Sequence, residues 1–254
     1  MFTGIVEELG RLHSIERDGD AARLTVACEL VVGDARIGDS VSVNGCCLTV
    51  TSLPDEGFTA DLMAETLRAT ALGQLSVGAA LNLERAMAAH DRFGGHLVQG
   101  HVDAVGEVVA REERPGTTFL TIAAPRPVAR YLVPKGSVTV DGVSLTVVDV
   151  TDDGAFRLGL IPHTLAVTNL EAVAVGDRVN LEVDVIAKYV ERLLVGGVSS
   201  PYGALEGVMR DGTTGPSEPN ATTGPSEAHT TTGPAEPHAT TSQHQPRPTA
   251  QEHQ

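Results

Sequence analysis

The feature of this sequence that most constrains its fold is an internal repeat. Four blocks recur in the same order, at a nearly constant offset of 96 to 98 residues. SVSVNGCCLTV, which begins at Ser40, returns as SVTVDGVSLTV from Ser137. The other pairs are FTGIVEELG from Phe2 with VQGHVDAVG from Val98, FTADLMAETLRATAL from Phe58 with FRLGLIPHTLAVTNL from Phe156, and VGAALNLE from Val77 with VGDRVNLE from Val175. Solenoid repeats have periods of about 20–50 residues, so this longer period predicts two complete domains that join around residues 88–95.

Each half has the pattern of a β domain. DSVSVNG, CCLTVTSL, GFTADL and AALNLE are short runs, rich in β-branched residues and separated by Gly, Asp and Pro. Several such strands within ~90 residues predict a small Greek-key barrel rather than a βαβ sheet. We also expect one short helix in each half, beginning near Ala64 and near Pro162, because proline suits a first helical turn.

A longer helix is predicted after the second barrel, over VIAKYVERLLVGG, ending at the glycine pair Gly196–Gly197. Its apolar residues fall on one side, which indicates a packing face. They are Ile186, Tyr189, Val190, Leu193 and Leu194. This face packs either on its own barrel or on a neighbouring chain.

The last stretch of the chain differs from the rest in composition. From about Asp211 it repeats a nine-residue unit, as TTGPSEPNA, TTGPSEAHT and TTGPAEPHA, and after Met209 it has no Leu, Ile, Val or aromatic residue. A segment with nothing apolar to bury does not offset its conformational entropy, so this tail is predicted to be disordered.

Charge and cysteine content exclude several classes of function. The chain has 33 acidic and 18 basic residues, a net charge of −15, which disfavours nucleic-acid and membrane partners. No run approaches the ~18 apolar residues of a membrane helix, and the first residues lack the pattern of an export signal. Three cysteines without a CxxC pair encode neither a disulfide framework nor a cysteine zinc site. We therefore expect a cytoplasmic protein.

The common cofactor and nucleophile motifs are not found in the sequence. It has no GxGxxG that opens a helix, no GxxxxGK[ST], no GxSxG and no HExxH. The candidate chemistry therefore lies in polar residues of the repeated blocks.

Two of these residues are predicted to face a groove. Cys46 and Cys47 are neighbours on a predicted strand, so their side chains point to opposite faces. Their counterparts in the second half are Val143 and Ser144. Because the hydrophobic residue aligns with Cys46, Cys47 and Ser144 are predicted to face the groove. The alternative is that both are small core residues, as free cysteines often are.

The two halves also differ chemically. Three charged or titratable residues of the second half have apolar or glycine counterparts in the first, which suggests two similar clefts with different tasks. These pairs are His101 with Ile5, Asp184 with Ala86, and Lys135 with Gly38. His96, five residues before His101, is expected to point to the opposite face of the strand and is given no role.

Seven ordered blocks resemble the riboflavin synthase family, the α-chain type built from two lumazine-binding barrels. They are MFTGIVEE, NGCCLTV, DLMAETL, GGHLVQGHVD, DGVSLTV, IPHTLAVTNL and VNLEVD, and they span residues 1 to about 200. The resemblance implies a mainly β fold with two tandem, homologous six-stranded Greek-key β-barrels, a C-terminal helix and a disordered tail. The expected segments are 1–96 for the first lumazine-binding barrel, 97–186 for the second, 187–208 for a trimerisation helix and 209–254 for the tail.

The resemblance also implies an activity. Two molecules of 6,7-dimethyl-8-ribityllumazine would exchange a four-carbon unit and give riboflavin and 5-amino-6-(ribitylamino)uracil, without a metal or other cofactor. The family pattern implies a homotrimer with the helix at its core, and active sites between the first barrel of one subunit and the second barrel of its neighbour. The alternative is a non-catalytic lumazine or flavin carrier of the antenna type, which needs only one good barrel.

Site residues carried over from the family fall into two groups. At the first barrel they are Phe2, Gly4, Ile5, Val6, Ser40, Cys47, Leu48, Thr49, Asp61, Leu62, Met63, Ala64, Glu65 and Thr66. At the second they are Gly100, His101, Val102, Lys135, Ser144, Leu145, Thr146, Leu158, Gly159, Leu160, Ile161, Pro162 and His163. Among them His101 is the expected proton carrier, and Ser144 and Cys47 are the candidate nucleophiles or their partners. Asp184 would orient a neighbour or accept a proton.

Overall fold

A computed structural model of the chain describes residues 1–195, which form twelve strands and four short helices. The first half contains β1 (Glu8–Asp18), β2 (Ala21–Ala27), β3 (Ser40–Val43), β4 (Cys46–Ser52), β5 (Gly57–Leu62) and β6 (Ala80–Arg85). The second contains β7 (Ala104–Arg114), β8 (Thr117–Ala123), β9 (Ser137–Val140), β10 (Val143–Val150), β11 (Ala155–Leu160) and β12 (Arg178–Val183). The helices are α1 (Ala64–Ala69), α2 (Arg126–Ala129), α3 (Pro162–Val167) and α4 (Val185–Val195).

Both halves are closed, antiparallel six-stranded barrels of the same topology. The first has the order β1-β2-β5-β4-β3-β6, and the second has the equivalent order β7-β8-β11-β10-β9-β12. Register shifts also recur, between Leu12 and Ser14 in β1 and between Val108 and Ala110 in β7. Such bulges sharpen the bend of a strand, which helps a small sheet to close on itself. The predicted fold class is confirmed.

Each barrel encloses its own hydrophobic core. In the first barrel Leu24, Phe58 and Leu81 are fully buried, and in the second Ile122 and Phe156 are fully buried. Burying one such side chain contributes about 1.5–3 kcal/mol. Along β2 and β8, alternate residues point inwards, as the period of a barrel strand requires.

Two tight hairpin turns, one from each barrel, pack against each other where the barrels meet. Asn44–Gly45 connects β3 with β4, and Asp141–Gly142 connects β9 with β10; all four residues have positive φ, as in a type I′ turn. The turns touch so closely that a Cβ atom on Gly45 would lie 2.7 Å from the backbone nitrogen of Gly142. Side chains larger than hydrogen are therefore excluded at this contact.

Buried amide groups surround the contact between the turns. Asn180 Nδ2 donates to the carbonyl oxygen of Asn44 at 2.8 Å, and Asn82 Nδ2 donates to that of Asp141 at 2.9 Å. The Asp141 carboxylate accepts from the Asn180 backbone nitrogen and from Asn169 Nδ2. Asp141 is the titratable group of this network, and burial raises its pKa to about 6.

Three of the four helices were predicted from the sequence, and α2 was not. α1 and α3 begin at Ala64 and Pro162, as expected. α4 begins at Val185, and its apolar residues, including Tyr189 and Leu193, are exposed in the described chain. They therefore do not pack on their own barrel. Of the two expectations for this face, packing on a neighbouring chain remains.

The remainder of the predicted 187–208 helix and the predicted disordered tail, 209–254, lie outside the described residues. Within residues 1–195 no helix is long and apolar enough to span a membrane.

Candidate active site

Two short segments cross between the barrels and bring the candidate site residues together. We call residues 2–6 the first crossing segment and residues 98–102 the second crossing segment. They pair antiparallel at Phe2 and Val98, which exchange two backbone hydrogen bonds of 2.8 and 3.2 Å. Both side chains are fully buried. The pair is anchored between the barrels, so each segment reaches the barrel of the other half.

The first crossing segment docks on the second barrel. The Ser144 backbone nitrogen donates to the carbonyl oxygen of Gly4 at 2.7 Å, and Val6 packs against the core of the second barrel. Gly4 has φ +77°, and a Cβ atom there would lie 2.7 Å from the Cβ atom of Ser144. A glycine is therefore required both by the backbone and by the close approach.

The second crossing segment docks on the first barrel in the same way. The Cys47 backbone nitrogen donates to the carbonyl oxygen of Gly100 at 2.8 Å, and Val102 packs against the first core. A Cβ atom on Gly100, whose φ is also +77°, would lie 2.6 Å from the Cβ atom of Cys47. The exposed side chain of His101 follows directly.

This exchange adds contacts across the barrels to the expected grouping of the site residues. The sequence grouped Gly4, Ile5 and Val6 with Cys47, and Gly100, His101 and Val102 with Ser144. Within the chain the structure places the first set beside Ser144 and the second set beside Cys47. The reason is that each crossing segment precedes the first strand of its own barrel and docks on the other one.

Burial of Cys46 and Val143 is consistent with the expected orientation of Cys47 and Ser144. Cys46 and Val143 are buried in the two cores, whereas Cys47 and Ser144 are half-buried. Burial also raises the pKa of the Cys46 thiol to about 12. Cys46 is therefore an inert core residue, and the accessible thiol at this position is that of Cys47.

His96 is a site residue that sequence reasoning missed. Its Nδ1 atom lies 2.8 Å from Ser144 Oγ, and its side chain is only 7% exposed. Burial lowers the pKa of His96, while the nearby charge of Asp184 opposes this shift. The Nε2 atom is buried without a hydrogen-bond partner among the described residues. The structure thus forms a His96–Ser144 pair with Asp184 close enough to influence it.

Lys135 has an unusual backbone conformation. Its φ is +69°, while its counterpart Gly38 has φ +96°. A side chain at this position is strained, because L-residues rarely adopt the left-handed region. The Lys135 side chain is exposed.

The other expected ligand residues lie along β3 to β5, β9 to β11 and the starts of α1 and α3. Four leucines point into the barrel cores, so only their backbone is available to a ligand: Leu48, Leu62, Leu158 and Leu160. The half-buried ones are Ser40, which lies opposite Thr49 on the next strand, Thr66 and Leu145. The exposed ones are Thr49, Asp61, Met63, Ala64, Glu65, Thr146, Gly159, Ile161, Pro162 and His163.

Of these exposed residues, Asp61 already has a partner. Its carboxylate forms an ion pair with Arg23 at 2.8 Å, and this pair lowers the pKa of Asp61. At the equivalent position in the second barrel Gly159 lies beside Phe119. The two barrels therefore differ here as well.

Two cavities open on the first barrel near these residues. One of about 510 Å³ is lined by Thr3, Ile5 and Glu84, among others, and a second of about 370 Å³ includes Ser40. Both are of the size that small-molecule sites have. Among the described residues no group of three or more His, Cys, Asp or Glu side chains is arranged to hold a metal ion.

Comparison with known proteins gives a consistent result. The lumazine-binding domain family matches the chain twice, over residues 3–86 and 99–184. Riboflavin synthase of Mycobacterium tuberculosis (strain ATCC 25618 / H37Rv) is 56% identical over 197 residues, which cover 76% of this chain and 98% of that protein. Riboflavin synthase of Bacillus subtilis (strain 168) is 46% identical over 194 residues, 76% of this chain and 90% of its own length.

Among solved structures, LumP complexed with riboflavin is similar, with a TM-score of 0.68 and 24% sequence identity. The match covers 72% of this chain and 99% of LumP, and at this identity it shows the shared fold alone. The two matches to the domain family coincide with the two barrels, and the named relatives are covered over nearly their whole length. The chain belongs to the riboflavin synthase family.

Proposed function

We propose that this chain is a riboflavin synthase that converts two molecules of 6,7-dimethyl-8-ribityllumazine into riboflavin and 5-amino-6-(ribitylamino)uracil. The observation that carries this proposal is the chemical inequality of two equivalent positions in the barrels. Cys47 lies beside the segment of His101, and Ser144 lies beside His96. In this reaction two identical molecules play unequal roles, as donor and as acceptor of a four-carbon unit, and two similar but unequal sites suit it.

His101 is the proton carrier in this proposal. The reaction requires a base that removes a proton from the acidic 7-methyl group of one lumazine molecule. His101 is exposed, while its backbone is fixed by hydrogen bonding, so its side chain is free to meet a ligand from a defined position. Histidine is the usual side chain for proton transfer near neutral pH.

Ser144 and His96 supply the nucleophilic function. Burial lowers the pKa of His96 and so favours the neutral form of its ring. A neutral ring with its proton on Nε2 accepts the Ser144 hydroxyl proton at Nδ1, which makes Ser144, or a water held by it, a better nucleophile. Asp184 stabilises the positive charge that His96 acquires when it takes this proton.

We place the reacting pair at an interface between chains. The exposed apolar face of α4 suits a trimer core, and Ile5 and His101 remain exposed within a single chain. In a homotrimer, each site would combine residues of two chains. Holding two rings at reacting distance can lower the activation barrier by ~7–11 kcal/mol. Cys28, Cys46 and Cys47 are all free thiols, which suits the reducing cytoplasm.

Incubation with 6,7-dimethyl-8-ribityllumazine alone tests the proposal. An enzyme produces riboflavin, which is followed by its visible absorbance, and needs no added cofactor. A carrier binds lumazine and shifts its spectrum but makes no riboflavin. The second outcome would replace the proposed enzyme with the carrier alternative.

A further inference from the structure

Two buried glutamates occupy equivalent positions in the barrels, and neither has a part in the chemistry described so far. Glu84 is in β6 and Glu182 is in β12, and they are 6% and 1% exposed. Burial raises the pKa of both carboxyl groups, and backbone hydrogen bonds oppose this shift. Buried carboxylates are costly unless several donors satisfy them, so their partners are informative.

Each carboxylate is surrounded by backbone N–H groups of one crossing segment or its flank. Glu84 accepts from the Thr3 nitrogen at 2.7 Å, the Thr3 hydroxyl at 3.0 Å and the Gly4 nitrogen at 3.0 Å. Glu182 accepts from the nitrogens of Gln99, Gly100 and His101 at 2.7, 2.9 and 3.0 Å. Successive N–H groups around a left-handed residue form a concave site for an anion. Here the anion is a side chain of the protein itself.

These contacts continue to the groove residues. Glu182 fixes Gly100 and His101, and the carbonyl oxygen of Gly100 binds the backbone of Cys47. Glu84 fixes Gly4, whose carbonyl oxygen binds the backbone of Ser144. Each glutamate therefore binds the crossing segment that in turn binds the backbone of Cys47 or Ser144.

We infer that Glu84 and Glu182 are positioning residues of the proposed reaction: each one holds a crossing segment in register against the groove of the opposite barrel. Glu182 sets the position of His101 relative to Cys47, and Glu84 sets that of the first crossing segment relative to Ser144 and His96. This inference rests on the proposed function for its catalytic consequence, but the positioning itself is measurable without turnover.

Substitution by glutamine changes these contacts specifically. Glu182→Gln has nearly the same size but replaces one acceptor oxygen with an NH₂ group, which faces a backbone N–H and repels it. The second crossing segment then loosens. Glu84→Gln does the same to the first crossing segment.

The chain offers a matched control in Glu8. Its carboxylate also accepts three backbone N–H groups, from Glu29, Leu30 and Val31 at 2.7, 2.8 and 2.9 Å. These donors belong to a loop of the first barrel rather than to a crossing segment. Glu8→Gln therefore removes the same kind of contact without releasing either crossing segment.

The experiment compares the wild-type chain with Glu182→Gln, Glu84→Gln and Glu8→Gln. The first measurement is the rate at which a small maleimide labels Cys47, located by peptide mass spectrometry. Because Gly100 covers Cys47, Glu182→Gln should raise this rate ~10-fold or more, while the other two variants stay within about twofold of wild type.

The second measurement is the initial rate against 6,7-dimethyl-8-ribityllumazine concentration. Both crossing-segment variants should lower kcat ~10–10²-fold, and Glu8→Gln should not.

The two measurements separate the possible failures. Wild-type labelling of Cys47 and wild-type kcat in Glu182→Gln would overturn the inference, as would an equal loss of kcat in Glu8→Gln. If the wild-type chain makes no riboflavin, the proposed function fails, and labelling alone decides the positioning role. If Glu182→Gln does not fold, Glu182→Asp replaces it, because aspartate keeps the charge but has a shorter side chain. This variant should also label faster at Cys47 than the wild type, by a smaller factor, and no increase would overturn the inference.

Discussion

At the scale of single residues, the decisive feature is the contact between His96 and Ser144. A half-buried hydroxyl and a buried imidazole lie 2.8 Å apart, whereas the equivalent first-barrel residue, Cys47, lies beside the backbone of Gly100. The two barrels therefore differ chemically at these equivalent positions.

If His96 and Ser144 act as a unit, their substitutions should not be additive. Ser144→Ala and His96→Gln should each lower turnover ~10²–10⁴-fold, and the double variant should lose no more than the worse single one. Riboflavin binding should change much less than turnover, because the pair acts on charge that develops during the reaction. Initial rates and fluorescence titration measure both quantities, with exposed Ser76→Ala as control. Multiplying losses in the double variant would show that the two residues act independently.

The strained backbone of Lys135 leads to a second prediction at this scale. A left-handed conformation costs an L-residue ~1–2 kcal/mol, and the greater freedom of glycine in the unfolded chain returns ~0.5–1 kcal/mol of this. Lys135→Gly should therefore raise the free energy of unfolding by up to about 1 kcal/mol, measured by urea denaturation. The reverse change at the counterpart, Gly38→Lys, should lower it. A less stable Lys135→Gly variant would show that the side chain makes stabilising contacts that outweigh the strain.

At the scale of structural elements, the sequence predicted the barrels well and their junction poorly. The repeat predicted two similar barrels, and the starts of α1 and α3 were predicted near Ala64 and Pro162, because similar local patterns produce similar local structure. It did not show that each crossing segment docks on the opposite barrel. The two halves align in the same way whether a crossing segment docks on its own barrel or on the other one. Only contacts such as Gly4 with Ser144 distinguish the two.

His96 was missed for a related reason. Gly100 aligns with Gly4, so the counterpart of His96 would precede Met1, and comparison of the halves gives no information about it. The expectation that it faces away from His101 also assumed a regular strand, whereas residues 94–97 are outside the strands in the structure. A histidine that directly follows two glycines near a domain junction was the only local signal.

The junction of the hairpin turns contains a titratable group, Asp141, where the first half has Asn44. Burial raises the pKa of Asp141 from its ordinary value of 3.8 to about 6, so the folded state favours the protonated form. The stabilising contribution of this proton is complete below about pH 4, decreases as the pH rises through 6, and is lost above it. The total change is at most about 3 kcal/mol.

Asp141→Asn should abolish that part of the pH dependence. We expect the stability of the wild type relative to the variant to fall between about pH 4 and pH 7 and then to stay constant. Urea unfolding of both proteins at a series of pH values measures this difference, in which the other titrating groups cancel. A difference that is flat with pH, or that rises, would show that Asp141 is not the buried titrating group.

At the scale of the whole molecule, an apolar helix face remains exposed. Tyr189, Leu193 and Leu194 point away from the barrels, and each is more than half exposed in the described chain. Exposed apolar patches of this kind mark association surfaces. The proposed trimer would bury this face and bring a first barrel of one chain against a second barrel of the next.

Leu193→Glu tests this assembly directly. A charge in the middle of the apolar face should convert the trimer into single chains, as measured by light scattering, and should abolish turnover while leaving the barrels folded. Arg192→Ala, one residue earlier on the helix, should retain both mass and activity. A wild-type chain that is monomeric yet fully active would contradict the interchain site.

In the proposed reaction two similar barrels bind two identical molecules, which then react with each other. The stoichiometry of the reaction measures this most directly: lumazine consumed, riboflavin formed and pyrimidine formed, quantified by chromatography from a single incubation with 6,7-dimethyl-8-ribityllumazine. We predict that two molecules of lumazine disappear for each riboflavin and each 5-amino-6-(ribitylamino)uracil produced. Lumazine that is bound but recovered unchanged, with no riboflavin formed, would contradict the proposed reaction.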